Sequence, residues 1–154
     1  MSSNIEVVTI HTSEQLFKLT SEGVRIGSDE AKRHITISAL VSDLLAHWRD
    51  NALMPSKSII ETHLSIIDPD GEYEIVLTLE RSSKGELDNL DAWLAKLTGR
   101  CSDLRNACSV LVMSYIADRE SARIASRIGI PDDKARLFSD VLRRTRDNVH
   151  PVRQ

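Results

Sequence analysis

Cysteine is scarce in this 154-residue chain, which carries Cys101 and Cys108 and no others. They lie seven positions apart on one predicted helix. That is roughly 10 Å at about 1.5 Å per residue, too far for a disulfide. A disulfide scaffold is excluded, and two reduced, packed thiols fit a cytoplasmic protein. No apolar run approaches membrane-spanning length. The opening MSSNIEVV lacks a basic region followed by an apolar one, so no signal peptide is expected. No Gly-rich loop follows a predicted strand, which removes a phosphate cradle. His11, His34, His47, His63 and His150 have neither metal-pair spacing nor a neighbouring cysteine. The expectation is a protein with no catalytic residues, no cofactor and no metal.

Strong net charge is also missing. The chain sums to −3, which does not advertise a nucleic-acid binder. The distribution is uneven, however. Residues 119–154 hold 9 Lys/Arg against 5 Asp/Glu, a net of +4, and residues 1–118 hold 11 against 18, a net of −7. A basic C-terminal surface on an acidic body follows. At 41% hydrophobic and 28% charged, the composition is that of one ordinary globular domain spanning 1–154.

What is present centres on residues 73–118. Ile75, Leu77 and Leu79 alternate with Glu74, Val76, Thr78 and Glu80, the period of a half-buried strand. Leu87, Leu90, Leu94 and Leu97 then form a helical stripe that Gly99 stops. A second helix opens at Ser102 and carries Leu104, Ala107, Cys108, Leu111, Val112, Tyr115 and Ile116 on a broad apolar face. Residues 5–50 show a fainter version of the same order. Ile5–Thr12 reads as a strand, with Val8 and Ile10 on one face and Val7, Thr9 and His11 on the other. Ser13 caps a short helix, Gly23 and Gly27 bound a loop, and Thr36 or Ser38 opens an apolar helix through Trp48.

Aligning Ile10 with Leu77 gives an offset of 67, and aligning Ser38 with Ser102 gives 64, so the first copy is expected to carry about three extra residues. Residues 51–72 connect the copies. The sequence Asp68-Pro69-Asp70-Gly71 is a strong turn signal, and it predicts a hairpin between His63–Ile67 and Glu72–Leu79. Past Ile116, the spacing of Arg119, Arg123 and Arg127 places them on one helix face. A last helix then carries Ala135, Phe138, Val141 and Leu142.

The ribbon Ile75-Val76-Leu77-Thr78-Leu79 and the turn Leu97-Thr98-Gly99-Arg100-Cys101-Ser102-Asp103-Leu104 resemble the ribbon-helix-helix family of DNA-binding proteins. Two copies in one chain resemble the tandem, pseudo-dimeric forms found among plasmid DNA-transfer accessory proteins. The resemblance implies an α+β, mostly helical fold whose two strands pair antiparallel, followed by C-terminal helices. It implies double-stranded DNA as partner, with a two-stranded ribbon in the major groove. Val7, Thr9, His11, Val76 and Thr78 would then meet base edges. The second helix of each unit would set its N-terminus on phosphate, through Arg33, Thr36 and Ser38 in the first copy and Arg100 and Ser102 in the second, with Lys84 nearby. Plasmid transfer, partition or transcriptional repression are the implied roles, alongside a protein partner in a DNA-processing complex and no membrane.

Two other readings stand beside it. One is an α+β protein-interaction module with no DNA role, favoured by the acidic body and by Glu74 and Glu80 on a ribbon without Arg or Lys. The other is a homodimer built on the second copy alone, instead of a monomeric pseudo-dimer.

Overall fold

Two stretches of alternating β-branched and polar residues become the strands that organise the fold. In a computed structural model, which describes residues 4–49, 54–101, 103–117 and 128–149, they are β1 (Ile5–Thr12) and β2 (Tyr73–Glu80). They pair antiparallel as a two-stranded sheet, with Ile5 opposite Glu80 and Thr12 opposite Tyr73. Val8, Ile10, Ile75, Leu77 and Leu79 point inward and are buried. Each such burial stabilises by about 2 kcal/mol against about 1 kcal/mol for a net ladder hydrogen bond. The inward row therefore fixes the register, because a one-residue slip of either strand would turn that strand's buried residues to solvent.

Around the ribbon lie α1 (Glu14–Ala31), α2 (Ile37–Leu45), α3 (Lys57–Ile66), α4 (Arg81–Thr98), α5 (Leu104–Ile116) and α6 (Asp132–Val149). The fold is α+β and mostly helical, as expected, and its core runs continuously from the ribbon into α5 and α6. Among the described residues no helix is long and apolar enough to cross a membrane.

Two expectations about local structure fail. First, no hairpin surrounds Asp68–Gly71. His63–Ile66 is the last turn of α3, whose Ile59, Ile60, His63, Leu64 and Ile66 are buried at helical spacing. The turn itself is real, with the Asp70 N–H donating to Asp68 Oδ1 at 2.9 Å, but it joins a helix to a strand. Second, α1 is one helix of 18 residues and not a short helix followed by a loop. Its glycines serve close packing. A Cβ at Gly23 would lie 2.9 Å from a Val112 methyl, and one at Gly27 would lie 2.5 Å from Ile35 Cδ1. The tertiary contact outweighs the helix cost of each glycine, about 1 kcal/mol.

The order β1-α1-α2 recurs as β2-α4-α5 with one constant offset. Helix α1 begins at Glu14 and α4 at Arg81, 67 positions later, and each has 18 residues. Lys32 at φ 57° and Gly99 at φ 72° close them in the left-handed conformation, again 67 apart. Thr36 and Asp103 cap α2 and α5 at the same offset. The expected three-residue insertion is absent. It came from pairing Ser38 with Ser102, whereas the cap of α5 is Asp103 and that of α2 is Thr36. Ser102 itself, like Arg119, Arg123 and Arg127, lies outside the described residues. The repeat is faint in letters because Gly23 and Gly27 in α1 occupy the places of Leu90 and Leu94 in α4.

The symmetry breaks where α3 and α6 pack on α5. Val110 on α5 is fully buried, but its counterpart Asp43 on α2 is exposed. On the inner face of α3 sits His63, fully buried, with Nε2 2.7 Å from Ser109 Oγ and its ring 6.2 Å from that of Phe138. Its Nδ1 has no partner among the described residues. Burial lowers its pKa to about 3, against a hydrogen bond with Ser109 that works weakly the other way. A histidine held neutral stabilises the fold fully above its unfolded value of about 6.5 and loses that contribution as pH falls towards 3. Wild-type stability should therefore drop by about 1 kcal/mol per pH unit between pH 6.5 and 4.5 in urea unfolding. His63→Gln, which keeps a partner for Ser109, should flatten that slope. Equal slopes in both proteins would contradict this account of His63.

Candidate nucleic-acid interface

The outward row of the ribbon alternates against the buried one. Ile5, Val7, Thr9 and His11 of β1 face solvent, as do Glu74, Val76, Thr78 and Glu80 of β2. The register sets Val7 across from Thr78, Thr9 across from Val76, His11 across from Glu74 and Ile5 across from Glu80. All five residues assigned to base contact thus share one exposed face. Val7 is 66% exposed, and with Val76 at 44% it makes the centre of the outward row apolar. Ile5, missed by the sequence reading, extends the row at 54% exposure. Strand periodicity already placed Ile5 in phase with Val7. His11 Nε2 lies 3.6 Å from Glu74 Oε2.

At the 67-residue offset, Thr9 is the counterpart of Val76, and these two are also directly paired. The pseudo-twofold axis therefore passes through the Thr9–Val76 pair, with Val7–Thr78 on one side of it and His11–Glu74 on the other. It places the N-termini of α2 and α5 against opposite edges of the ribbon. On the β2 edge, Ser38 Oγ accepts from the Thr78 N–H at 2.8 Å. On the β1 edge, Arg105, the counterpart of Ser38, donates through Nη1 to the His11 carbonyl at 3.3 Å. Each helix thus satisfies a main-chain group that a bare edge strand would leave open to another chain.

The two helix ends differ in charge. At α2, Thr36 Oγ1 accepts from the Ala39 N–H at 3.0 Å, and Lys32, Arg33 and His34 stand exposed just before it. At α5 the end is occupied by carboxylates. Asp103 Oδ1 accepts from the Arg105 N–H at 2.9 Å, and Asp91 Oδ1 accepts from the Asp103 N–H at 2.7 Å. Arg105 Nη2 lies 2.7 Å from Asp103 Oδ2, and its Nη1 lies 2.9 Å from Asp70 Oδ1 and 3.5 Å from the Pro69 carbonyl. Partial burial pushes the Asp103 carboxyl up, but hydrogen bonds and charge from Arg105 outweigh it, and the net shift is downward. The positive end of α5 is already compensated by its own cap.

The remaining residues assigned to phosphate are scattered. Arg100 is exposed in the turn between α4 and α5, and its N–H donates to Thr98 Oγ1 at 3.4 Å. Lys84 stands on the first turn of α4, bound to both carboxylate oxygens of Asp88 at 2.9 and 2.8 Å. The expectation that Ser102 caps the second helix is overturned by Asp103. Arg105 was missed. A repeat aligned at 67 throughout would have found it opposite Ser38.

Among the described residues no group of three or more His, Cys, Asp and Glu converges as a metal site would. The row offers methyl groups, two hydroxyls, an imidazole and the carboxylates of Glu74 and Glu80, without a guanidinium or an ammonium. It is suited to surface recognition.

Arg105→Ala removes the contacts to Asp103, Asp70 and two carbonyls together, and it should cost about 1–2 kcal/mol in chemical unfolding. Ser38→Ala should cost about 0.5 kcal/mol, because water reaches the exposed Thr78 N–H. Arg105→Lys should recover little, since one ammonium cannot span the same acceptors. A neutral Arg105→Ala would show that the latch contributes nothing.

Searches against protein-family models, curated proteins and solved structures find no match to this chain.

Proposed function

We propose that this chain is a cytoplasmic, non-enzymatic double-stranded DNA-binding protein of the ribbon-helix-helix kind, in which one chain supplies both halves of the binding unit. The observation that carries the reading is the constant 67-residue repeat. It pairs two equivalent strands and sets two equivalent helix N-termini on either edge of an outward row that nothing in the described structure covers. Strands about 4.8 Å apart fit a major groove about 12 Å wide. Val7, Thr78, Thr9 and Val76 would meet base edges, with His11 next along the row beside Glu74. Thr36 and the free amides of α2, with Lys32 and Arg33, would hold one phosphate backbone. Arg100 would serve the other. Because Thr9 and Val76 are equivalent but different, the preferred site need not be a perfect palindrome. Plasmid or mobile-element transfer, partition or repression are the roles that the resemblance suggests.

Binding to random-sequence duplex DNA should be micromolar near 50 mM salt. With about two phosphates neutralised, it should weaken about tenfold near 200 mM. The Thr9→Ala/Thr78→Ala double variant should keep that salt dependence and lose sequence preference. Absence of binding near 50 mM salt would remove this reading.

One observation favours a second reading, a protein-docking face. The outward row holds Ile5, Val7 and Val76, and beside it a groove of roughly 330 Å³ is lined by Phe17, Thr20, Val24, Ile37 and Val76. Apolar area next to two carboxylates suits a protein surface, and a protein that bound no DNA would leave this as the face to test.

A further inference from the structure

We propose, resting on the DNA-binding reading, that the ribbon recognises thymine through its methyl group, so that the preferred duplex has a thymine-rich core. The four central outward residues are Val7, Thr78, Thr9 and Val76, set as two cross-strand pairs. Every one is β-branched and presents a methyl group. β-Branched side chains have few χ1 states, so these methyls are held in place on the pleat and lose little freedom on contact. In the major groove thymine alone among the four bases presents a methyl group, and apolar contact with it discriminates base identity. Guanine is ordinarily selected by a bidentate Arg or Lys, and the outward row contains neither.

The ends of the row limit the length of this contact. Glu80 stands beyond the Val7–Thr78 pair and Glu74 beyond the Thr9–Val76 pair, the latter beside His11. Carboxylates accept only from exocyclic amino groups, most often cytosine N4, and repel phosphate. Outward residues on one strand are spaced by about 6.6 Å, near two base-pair steps, so the four methyl-bearing residues address about 3–4 base pairs. The two threonines occupy diagonal positions, each across from a valine. Their hydroxyls can bond thymine O4 or adenine N7 in the same steps without displacing the methyl contacts.

The test has two parts with the full chain. Selection from random duplexes should enrich sites with a thymine-rich core. A selected duplex in which deoxyuridine replaces thymine, which deletes only the methyl groups, should bind 3- to 10-fold more weakly by fluorescence anisotropy, with an unchanged salt dependence. The Val7→Ala/Val76→Ala variant, altered only at exposed positions, should narrow the difference between thymine and uracil duplexes while leaving the salt dependence unchanged. Enrichment of G·C cores, or equal affinity for thymine and uracil duplexes in the wild type, would overturn the inference while leaving DNA binding intact. Failure to bind any duplex near 50 mM salt would remove both.

Discussion

The antiparallel pairing of β1 with β2 is the constraint on which the rest of the molecule depends. Each strand opens one copy of the repeat, and a single strand with one apolar row has nowhere to bury it. Pairing buries Val8, Ile10, Ile75, Leu77 and Leu79 together over the helices. The same register turns Val7, Thr9, Val76 and Thr78 outward. Inward burial and outward presentation are therefore one property of the strands, and neither can shift without the other. The helix ends follow from it, because the offset of 67 that pairs the strands also delivers Ser38 to one edge and Arg105 to the other.

Near-symmetry leaves room for difference. Helix α1 lies close against α5 through Gly23, and α4 keeps larger leucines at the equivalent places. One helix end is preceded by Lys32, Arg33 and His34, the other is filled by Asp103 and tied to Arg105. α3 and α6 cover α5 and leave the matching face of α2 open. A homodimer would have to use one sequence for both halves. A single chain is free of that requirement, and this one differs at nearly every position that matters for the surface.

Much of this was legible in the sequence, and for definable reasons. Period-two alternation gave both strands and the side of each residue, because burial of one row leaves no other pattern. The stripe of Leu87, Leu90 and Leu94 gave α4, and Gly99 gave its end. The connection was misread because an apolar run of Ile and Leu before a Pro-Gly turn fits strand or helix equally, and the competing partner for β2 lay far away in sequence. The two glycines of α1 were read as a loop because close packing against Val112 and Ile35 cannot be seen locally. The α5 end was misread for a similar reason. Ser102 and Asp103 are both good caps, and only contacts with Asp91 and Arg105 select the second. Arg105 carries no local signal of its reach to the His11 carbonyl.

The most direct test of the central claim is amide chemical-shift mapping of the full chain during titration with duplex DNA. The account predicts that the largest changes fall on Val7, Thr9, Val76 and Thr78 and on the start of α2 around Thr36, with the far face of α3 and α6 unchanged. Changes confined to the basic surface of α6, at Arg143 and Arg144, with the ribbon silent, would contradict it.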